Sequence, residues 1–401
     1  MSIALGDFRS IPWSNEWKGA AMGSYRGDLD FEETAFEDSR MTDGAAGRRA
    51  FSKRAIDRRT FAGAAAALCA AIPVTLLGFT GCSSDNGSAS TGAASGSASA
   101  AQAGSASGTA AKREVTIGTL ATEDILPMWV ALEEKLADDS SVSLNVVTFQ
   151  SATELIAGVS SGDVNMAMTD PMVSASLFAG GTDVLLQWVT LGETADQGRF
   201  GIQTAADSGI ASLNDLAGVP IGVGSNTILE YVMDVLMADA GIPADQVVVE
   251  ELQKLPVRYQ AMASGQVKAA ALPASLLALG ESQGCVTLAD DTKGDNISQS
   301  VMIVRRDFLE GEGGAQAVAA VRELWDRAAA LINGSPESYR ALLVEKASLP
   351  EEVADSYPIS TYPLAQMPTS EMIEPVLDWM RVKGYLETEL TYDASDGSFR
   401  R

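Results

Sequence analysis

Residues 219–241 read VPIGVGSNTILEYVMDVLMADAG: a short β-branched run, a polar turn, and apolar residues at helical spacing. The run predicts a buried strand, and the periodicity predicts an amphipathic helix that follows it directly. Thr227 and Glu230 form a capping-box pattern at the helix start, and Gly241 is suited to its end. Backbone N–H groups at such a helix N-terminus can seat an anionic or polar ligand group, although a plain βα unit without a ligand fits the pattern too.

A similar stretch lies upstream, at residues 115–136, and reads VTIGTLATEDILPMWVALEEKL. Each copy continues with a strand, a helix and a further strand, and both carry an S-G-x-V motif before that strand, at 161–164 and 264–267. Two tandem βαβαβ units predict two similar α/β lobes. Because ligands lie beyond the carboxyl ends of parallel strands, two facing lobes would enclose a ligand between those ends.

Composition excludes several classes of function. The 401 residues include 53 acidic and 28 basic side chains, a net charge of −25, which argues against nucleic-acid binding and fits a solvent-facing or secreted protein. The chain has no histidine, so catalytic triads, proton shuttles and metal sites that depend on histidine are excluded. Cys69, Cys82 and Cys285 are too far apart for a metal-ligand spacing or a disulfide framework. We therefore predict no metal and no cofactor.

Three segments precede the repeats. Residues 1–47 are polar without hydrophobic periodicity, and we expect them to be disordered or to lie upstream of a natural start at Met41. Residues 48–82 have the composition of an export leader. Residues 83–113 are nearly all Gly, Ala, Ser and Thr and predict a flexible linker.

The leader combines a basic region, the apolar run 61–79, and then Thr-Gly-Cys. Arg58 and Arg59 resemble a twin-arginine signal. Residues 79–82 resemble a bacterial lipobox, and this resemblance implies a diacylglyceryl group on Cys82. Phe79 departs from the pattern, because leucine is preferred at that position. An uncleaved membrane anchor is the alternative, because the apolar run nearly reaches spanning length.

The folded part is predicted to cross between lobes twice. We assign residues 114–204 to the first part of lobe I, 205–300 to lobe II, and 301–401 to the return into lobe I and its C-terminal helices. Cys285 is expected to be buried in the last strand of lobe II. Two crossings form a hinge.

The phrases GTLATEDILPMWVALEE, AMTDPMVSASLFAGG and SNTILEYVMDVL resemble bacterial ABC-transporter solute-binding proteins, over about residues 115–385. The similar group is the nitrate/sulfonate/taurine type, which includes binders of thiamine-pyrimidine precursors. The resemblance implies an α/β, two-lobed type II periplasmic-binding-protein fold, with a mainly parallel, helix-flanked sheet in each lobe. It also implies a monomer that closes on one small molecule, delivers it to a membrane permease with its ATPase, and catalyses no reaction. With the leader, it implies an extracytoplasmic lipoprotein of the cell membrane.

Strand ends and the resemblance together predict ligand-binding residues in both lobes. In lobe I they are Thr119, Leu120, Thr122, Trp129, Gln150, Ser151, Thr169 and Asp170, and in lobe II Ser225, Asn226, Thr227 and Pro273, with Leu272 and Ala274 beside it. Trp129 either stacks on a ligand or belongs to the core. Ser151 and Asp170 fit helix caps equally well, and Asp170 could instead meet an amine on the ligand. Arg258 is assigned a structural role. The helix-end seat favours an anionic or polar ligand, whose identity stays open.

Two other functions fit the same pattern. The first is an enzyme on this fold, of the menaquinone-pathway or thiamine-pyrimidine-synthase type. The latter consumes a histidine and holds pyridoxal on a lysine, and the lack of histidine excludes that chemistry. The second is a sensory domain that signals to a receptor. Neighbouring genes that encode a kinase rather than a permease would indicate this function.

Overall fold

The computed structural model describes residues 112–347 and 349–401. The predicted N-terminal extension with Met41, the leader, the lipobox with Cys82 and nearly all of the linker lie outside these ranges. No helix within them combines the length and the apolar character needed to cross a bilayer.

The described chain forms two sheets flanked by helices. The strands are β1 (Arg113–Leu120), β2 (Val142–Phe149), β3 (Met166–Thr169), β4 (Val184–Leu191), β5 (Phe200–Thr204), β6 (Pro220–Val223), β7 (Val248–Glu251), β8 (Ala269–Pro273), β9 (Val286–Asp290), β10 (Ser300–Arg305), β11 (Thr391–Asp393) and β12 (Ser398–Arg400). The helices are α1 (Leu126–Glu133), α2 (Ala152–Ser161), α3 (Pro171–Ala179), α4 (Ile228–Asp239), α5 (Leu255–Ala263), α6 (Ala274–Ser282), α7 (Arg306–Glu310), α8 (Gly314–Gly334), α9 (Arg340–Lys346), α10 (Glu351–Ala354) and α11 (Ser370–Lys383).

Lobe I contains the sheet β11-β12-β4-β10-β3-β1-β2, and lobe II contains the sheet β7-β6-β8-β5-β9. The two repeat units supply equivalent parallel triplets, β2-β1-β3 and β7-β6-β8. The glycines of the two S-G-x-V motifs are also equivalent, since Gly162 has φ +89° and Gly265 φ +74° after the second helix of each unit. The remaining strands pair antiparallel, so both sheets are mixed. The predicted two-lobed α/β fold is confirmed, but the prediction of mainly parallel sheets is wrong, because within the described chain only the strands of the repeat units pair in parallel.

The predicted boundary at residue 204 is wrong. β5 was assigned to lobe I, but it pairs antiparallel with β8 and β9 in the sheet of lobe II. The chain therefore crosses between lobes at 192–199 and returns at 291–299. A short strand buried along its whole length carries no sequence signal for the sheet that it joins.

The two crossing segments, which are the predicted hinge, lie side by side, and Asn296 Nδ2 donates to the Gly192 carbonyl at 2.7 Å. The backbone N–H of Phe200 donates to Asp291 Oδ1 at 2.8 Å, and the Ser298 hydroxyl donates to Asp291 Oδ2 at 2.5 Å. Gly192 has φ +87°, and a Cβ there would lie 2.1 Å from the Ser298 carbonyl oxygen. The linkers thus approach closely at a point where only glycine fits.

The C-terminal segment extends lobe I and also contacts lobe II. Helix α8 packs on α1, as predicted for the C-terminal helices. Helix α11 packs on α3 and, through Trp379, on α4 of lobe II. The hairpin β11–β12 was not predicted and adds two strands beside β4. Cys285 precedes β9 and is half-buried, whereas we expected it to be buried within the strand.

Candidate functional site

A cavity of ≈ 60 Å³ lies between the lobes, where the parallel strands of both sheets end. Its walls come from both repeat units and from the hinge strands β5 and β10. The lining residues are Leu120, Thr122, Asp124, Ala152, Leu155, Met168, Thr169, Asp170 and Ser300 from lobe I, and Phe200, Thr227, Ile228, Leu229, Gln253, Leu255, Arg258 and Pro273 from lobe II. This is the position expected for a ligand in open α/β sheets.

Half of the predicted site residues lie on this cavity. They are Leu120, Thr122, Thr169, Asp170, Thr227 and Pro273. Gln150 lines a neighbouring recess of ≈ 90 Å³, which Pro273 also borders. The cavity lining does not include Thr119, Trp129, Ser151, Ser225 or Asn226, or the expected wall residues Leu272 and Ala274.

The predicted residues outside the lining have structural contacts. Trp129 is buried in the hydrophobic core of lobe I, which agrees with the core alternative. The hydroxyl of Thr119 donates to the carbonyl of Leu120. Ser151 caps α2 by accepting the Glu154 N–H at 3.2 Å.

Asp170 joins the two lobes. Its Oδ1 accepts the Val173 N–H at 2.8 Å and caps α3, and its Oδ2 accepts the Ile228 N–H at 3.1 Å, at the start of α4 in lobe II. Burial raises the pKa of this carboxyl to about 6. The capping alternative for Asp170 is therefore correct, and the same side chain bridges the cleft.

The predicted capping box of α4 does not form. Thr227 Oγ1 donates to the Gly224 carbonyl at 2.7 Å instead of accepting from the helix. Glu230 accepts the N–H of Asn226 at 2.7 Å, one residue before the predicted partner. The positive φ of Asn226, +58°, turns the chain so that its N–H, rather than that of Thr227, faces the glutamate.

Carboxylates of the chain itself occupy much of the predicted anion seat at α4. Glu251 accepts the backbone N–H of Ser225 at 3.3 Å and also accepts its hydroxyl. With Glu230 on Asn226 and Asp170 on Ile228, three N–H groups of this turn are already bonded to negative side chains. Ser225 and Asn226, expected to contact the ligand, therefore hold the turn, and Asn226 Nδ2 also donates to Ser176 across the lobes at 2.7 Å.

Asp124 is a cavity residue that our sequence reasoning missed. Its Oδ2 accepts the hydroxyls of Ser300 at 3.1 Å and Thr122 at 3.3 Å. Burial, and then the charge of neighbouring Glu123, raise the pKa of Asp124 to about 7. The polar turn TED after β1 was a usable signal, because it follows a strand end of the repeat.

Arg258 is the buried cation of the cavity wall. Its Nε, Nη1 and Nη2 donate to the carbonyls of Leu252, Ala271 and Gln253 at 2.8, 2.9 and 3.3 Å. Burial lowers its pKa to about 10. The assigned structural role agrees with these three bonds, but the side chain also reaches the cavity, which its position inside a helix did not indicate.

Comparisons with known proteins agree with this geometry. Residues 119–286 match the family model described as ABC transporter, phosphonate, periplasmic substrate-binding protein. None of the curated protein sequences matches the chain.

Solved structures share the fold at low identity. The alkanesulfonate-binding protein SsuA from Xanthomonas axonopodis pv. citri, bound to MOPS, is similar with a TM-score of 0.60 and 17% identity over 70% of this chain and 96% of that chain. The periplasmic aliphatic sulphonate binding protein SsuA from Escherichia coli has a TM-score of 0.58 and 19% identity over 69% and 90%. The periplasmic nitrate-binding protein NrtA from Synechocystis PCC 6803 has a TM-score of 0.51 and 12% identity over 65% and 74%.

The family model begins at the end of β1 and includes the other parallel strands of both repeat units and most of the cavity wall. The predicted resemblance to ABC-transporter solute-binding proteins is confirmed at this level. Residues 119–286 of this chain are similar to periplasmic substrate-binding proteins of ABC transporters, and the chain shares the fold of solved sulfonate-binding and nitrate-binding proteins.

Proposed function

We propose that this chain is the extracytoplasmic solute-binding component of an ABC importer. It captures one small molecule between its lobes and delivers it to a membrane permease and its ATPase, without catalysing a reaction. The observation that carries this proposal is the cavity, whose walls come from both lobes at the carboxyl ends of the parallel strands. The two linkers that join the lobes contact each other through Asn296 and the Gly192 carbonyl, and such a pair of linkers can act as a hinge for opening and closing.

The cavity residues are the proposed ligand contacts. Leu120, Thr122, Thr169, Thr227 and Pro273 supply the wall, and Gln150 borders the adjoining recess. Asp170 contributes by holding the lobes together. A volume of ≈ 60 Å³ is small beside the roughly 300–1,000 Å³ of drug-sized pockets, so the lobes open further to admit a larger ligand.

A lipid on Cys82 would tether the domain to the outer face of the membrane. The Gly/Ala/Ser composition of residues 83–113 predicts a coil with a mean reach of about 30 Å. Such a linker allows one monomeric binding domain to bind its permease repeatedly. Expression of Cys82→Ser tests this part, because the variant should leave the membrane fraction while the unaltered chain stays in it. Equal membrane retention of both would contradict the lipid anchor.

Ligand-dependent stabilisation tests the binding function. A panel of sulfonates, phosphonates, nitrate, pyrimidines, amino acids and amines is added to the full chain, and unfolding is followed by heating. A ligand at a hundredfold excess over Kd should stabilise the folded chain by about 2.7 kcal/mol.

A cavity-filling variant locates the effect. Ala152 lines the cavity, so Ala152→Met should remove the stabilisation, whereas Ala179→Met, at an exposed position of α3, should keep it. If no compound of the panel stabilises the unaltered chain, the solute-binding proposal loses its support.

A further inference from the structure

Carboxylates already occupy the helix N-termini around the cavity. Glu154 accepts the Gln150 N–H at 3.0 Å at the start of α2, and Asp170 caps α3. At α4, Glu230 and Asp170 accept two N–H groups of the first turn. At the starts of α3 and α4 an oxyanion would therefore meet N–H groups already bonded to carboxylates, whereas the charge of Glu154 at α2 is shared with Lys254 at 2.9 Å.

Asp124 provides an open acceptor on the lobe I wall of the cavity. Its Oδ2 accepts two hydroxyls, but within residues 112–347 and 349–401 no group donates to Oδ1. The side chain is only 7% exposed and lines the cavity. A carboxylate oxygen in such a site is stabilised by a ligand N–H donor and opposed by a ligand anion.

Arg258 does not reverse the preference of the cavity for an N–H donor over an anion. Three of its five N–H groups donate to backbone carbonyls of lobe II, and the charge of Glu251 lies close enough to offset its own. Around these polar groups the wall is mainly apolar. The apolar lining includes Leu120, Leu155, Met168, Phe200, Ile228, Leu229 and Leu255.

We propose that the cavity takes a small, largely apolar molecule with a protonated amine, whose N–H groups bind Asp124, and that it does not take an oxyanion. This inference rests on the proposed solute-binding function and narrows its ligand class. The apolar wall holds the body of the molecule, and the charge-assisted hydrogen bond to Asp124 orients it.

Three probes that share one carbon chain test the inference on the full chain: butylamine, butanol and butane-1-sulfonate. Their dissociation constants are measured by calorimetry at constant ionic strength. Butylamine should bind at least tenfold more tightly than butane-1-sulfonate. Asp124→Asn should weaken butylamine roughly 10- to 100-fold, since a hydrogen bond to a charged group is lost. Asp139→Asn, which removes one exposed surface charge, should bind butylamine as the unaltered chain does.

The outcomes separate this inference from the proposed function. Tighter binding of butane-1-sulfonate, or butylamine binding unchanged in Asp124→Asn, overturns the amine inference and leaves solute binding intact. Binding of a panel compound that has no basic nitrogen also overturns the amine inference and leaves solute binding intact. If none of the three probes and no compound of the panel binds, both the amine inference and the solute-binding proposal are overturned. The ranking of the probes needs no variant, so a folding defect in Asp124→Asn leaves the inference testable.

Discussion

Asp170 Oδ2 in lobe I accepts the backbone N–H of Ile228 in lobe II at 3.1 Å, beside the cavity. The bond sits where the last strand of the first repeat unit meets the first helix of the second unit. It fills a position at a helix N-terminus where an anionic ligand would otherwise bind. Asp170 therefore links the two lobes, which has consequences for stability and shape.

Replacing Asp170 by asparagine should loosen the closed arrangement. The single amide oxygen can still cap Val173, but the amide NH₂ then faces the Ile228 N–H and cannot accept from it. At pH 8 we expect a larger radius of gyration in solution scattering and a loss of roughly 1.5–3 kcal/mol in unfolding free energy. Asp163→Asn, at an exposed carboxylate, is the control and should change neither. A radius of gyration for Asp170→Asn equal to that of the control would show that this bond does not hold the lobes together.

The hinge should tolerate no side chain at Gly192. Alanine there meets both a φ of +87° and the Ser298 carbonyl oxygen at 2.1 Å, so we expect Gly192→Ala to lower the unfolding free energy by about 2–4 kcal/mol. Gly181→Ala is a matched control, because Gly181 has φ +94° with nothing within 4 Å of the added Cβ. It should cost only the backbone strain, about 1 kcal/mol. Equal destabilisation of the two variants in chemical denaturation would mean that the linkers do not approach as described.

Lys383 should contribute strongly to the unfolding free energy, at the point where α11 contacts lobe II. Its ammonium lies 2.9 Å from Glu230 and 3.0 Å from Asp234, two carboxylates whose side chains are at most 1% exposed. Lys383→Met leaves both without their cation, and we expect a loss of about 3–5 kcal/mol in denaturant unfolding. Lys346→Met, which removes an exposed pair with Glu345, should cost less than about 1 kcal/mol.

A second substitution checks the cause of that loss. Burial raises the pKa of Asp234, so its charge is costly without Lys383. Adding Asp234→Asn to Lys383→Met should therefore recover part of the lost stability. No recovery would indicate that lost packing of the lysine stem, and not an unpaired charge, causes the destabilisation.

Stability should increase on mild acidification. Burial raises the pKa of Asp124 to about 7 and that of Asp170 to about 6, both above the ordinary value of 3.8. The folded state therefore binds more protons than the unfolded state between about pH 4 and pH 7, and the unfolding free energy rises as pH falls through this window. Groups with lowered pKa, such as Asp393 at about 2, oppose the trend only below about pH 4.

Thermal melting at pH 8, 7, 6 and 5 measures this dependence. Asp124→Asn cannot titrate and should show a smaller rise than the unaltered chain, while Asp139→Asn should not differ. A melting temperature that falls between pH 8 and pH 6 would contradict the assignment of raised pKa values to the cavity carboxyls.

The two-lobed architecture was predictable because each βαβαβ unit repeats a local pattern of strand, turn and helix. Leu120, Thr169 and Pro273 were placed correctly at strand ends for the same reason. Other contacts depend on long separations that carry no periodic signal. Ser300 reaches Asp124 across 176 positions in the sequence, so the hydroxyl beside this carboxylate could not be predicted from local pattern.

The error at the start of α4 has a specific cause. A capping-box motif predicts bonds within one helix turn, but Asn226 has a positive φ and presents its own N–H to Glu230. Glu251 and Asp170, which come from other elements, accept the neighbouring N–H groups of Ser225 and Ile228. β5 was misplaced for a related reason, because its sheet partners are set by tertiary packing. Sequence pattern therefore located the cleft, whereas its electrostatics came from the assembled lobes.

Native mass spectrometry of the full chain, purified without denaturation and exposed to a small-molecule extract of cells, tests the central claim most directly. We predict one non-covalent small molecule per chain, released on gentle activation and absent from Ala152→Met but retained by Ala179→Met. No adduct on the unaltered chain, or an adduct retained equally by both variants, would contradict a solute site between the lobes.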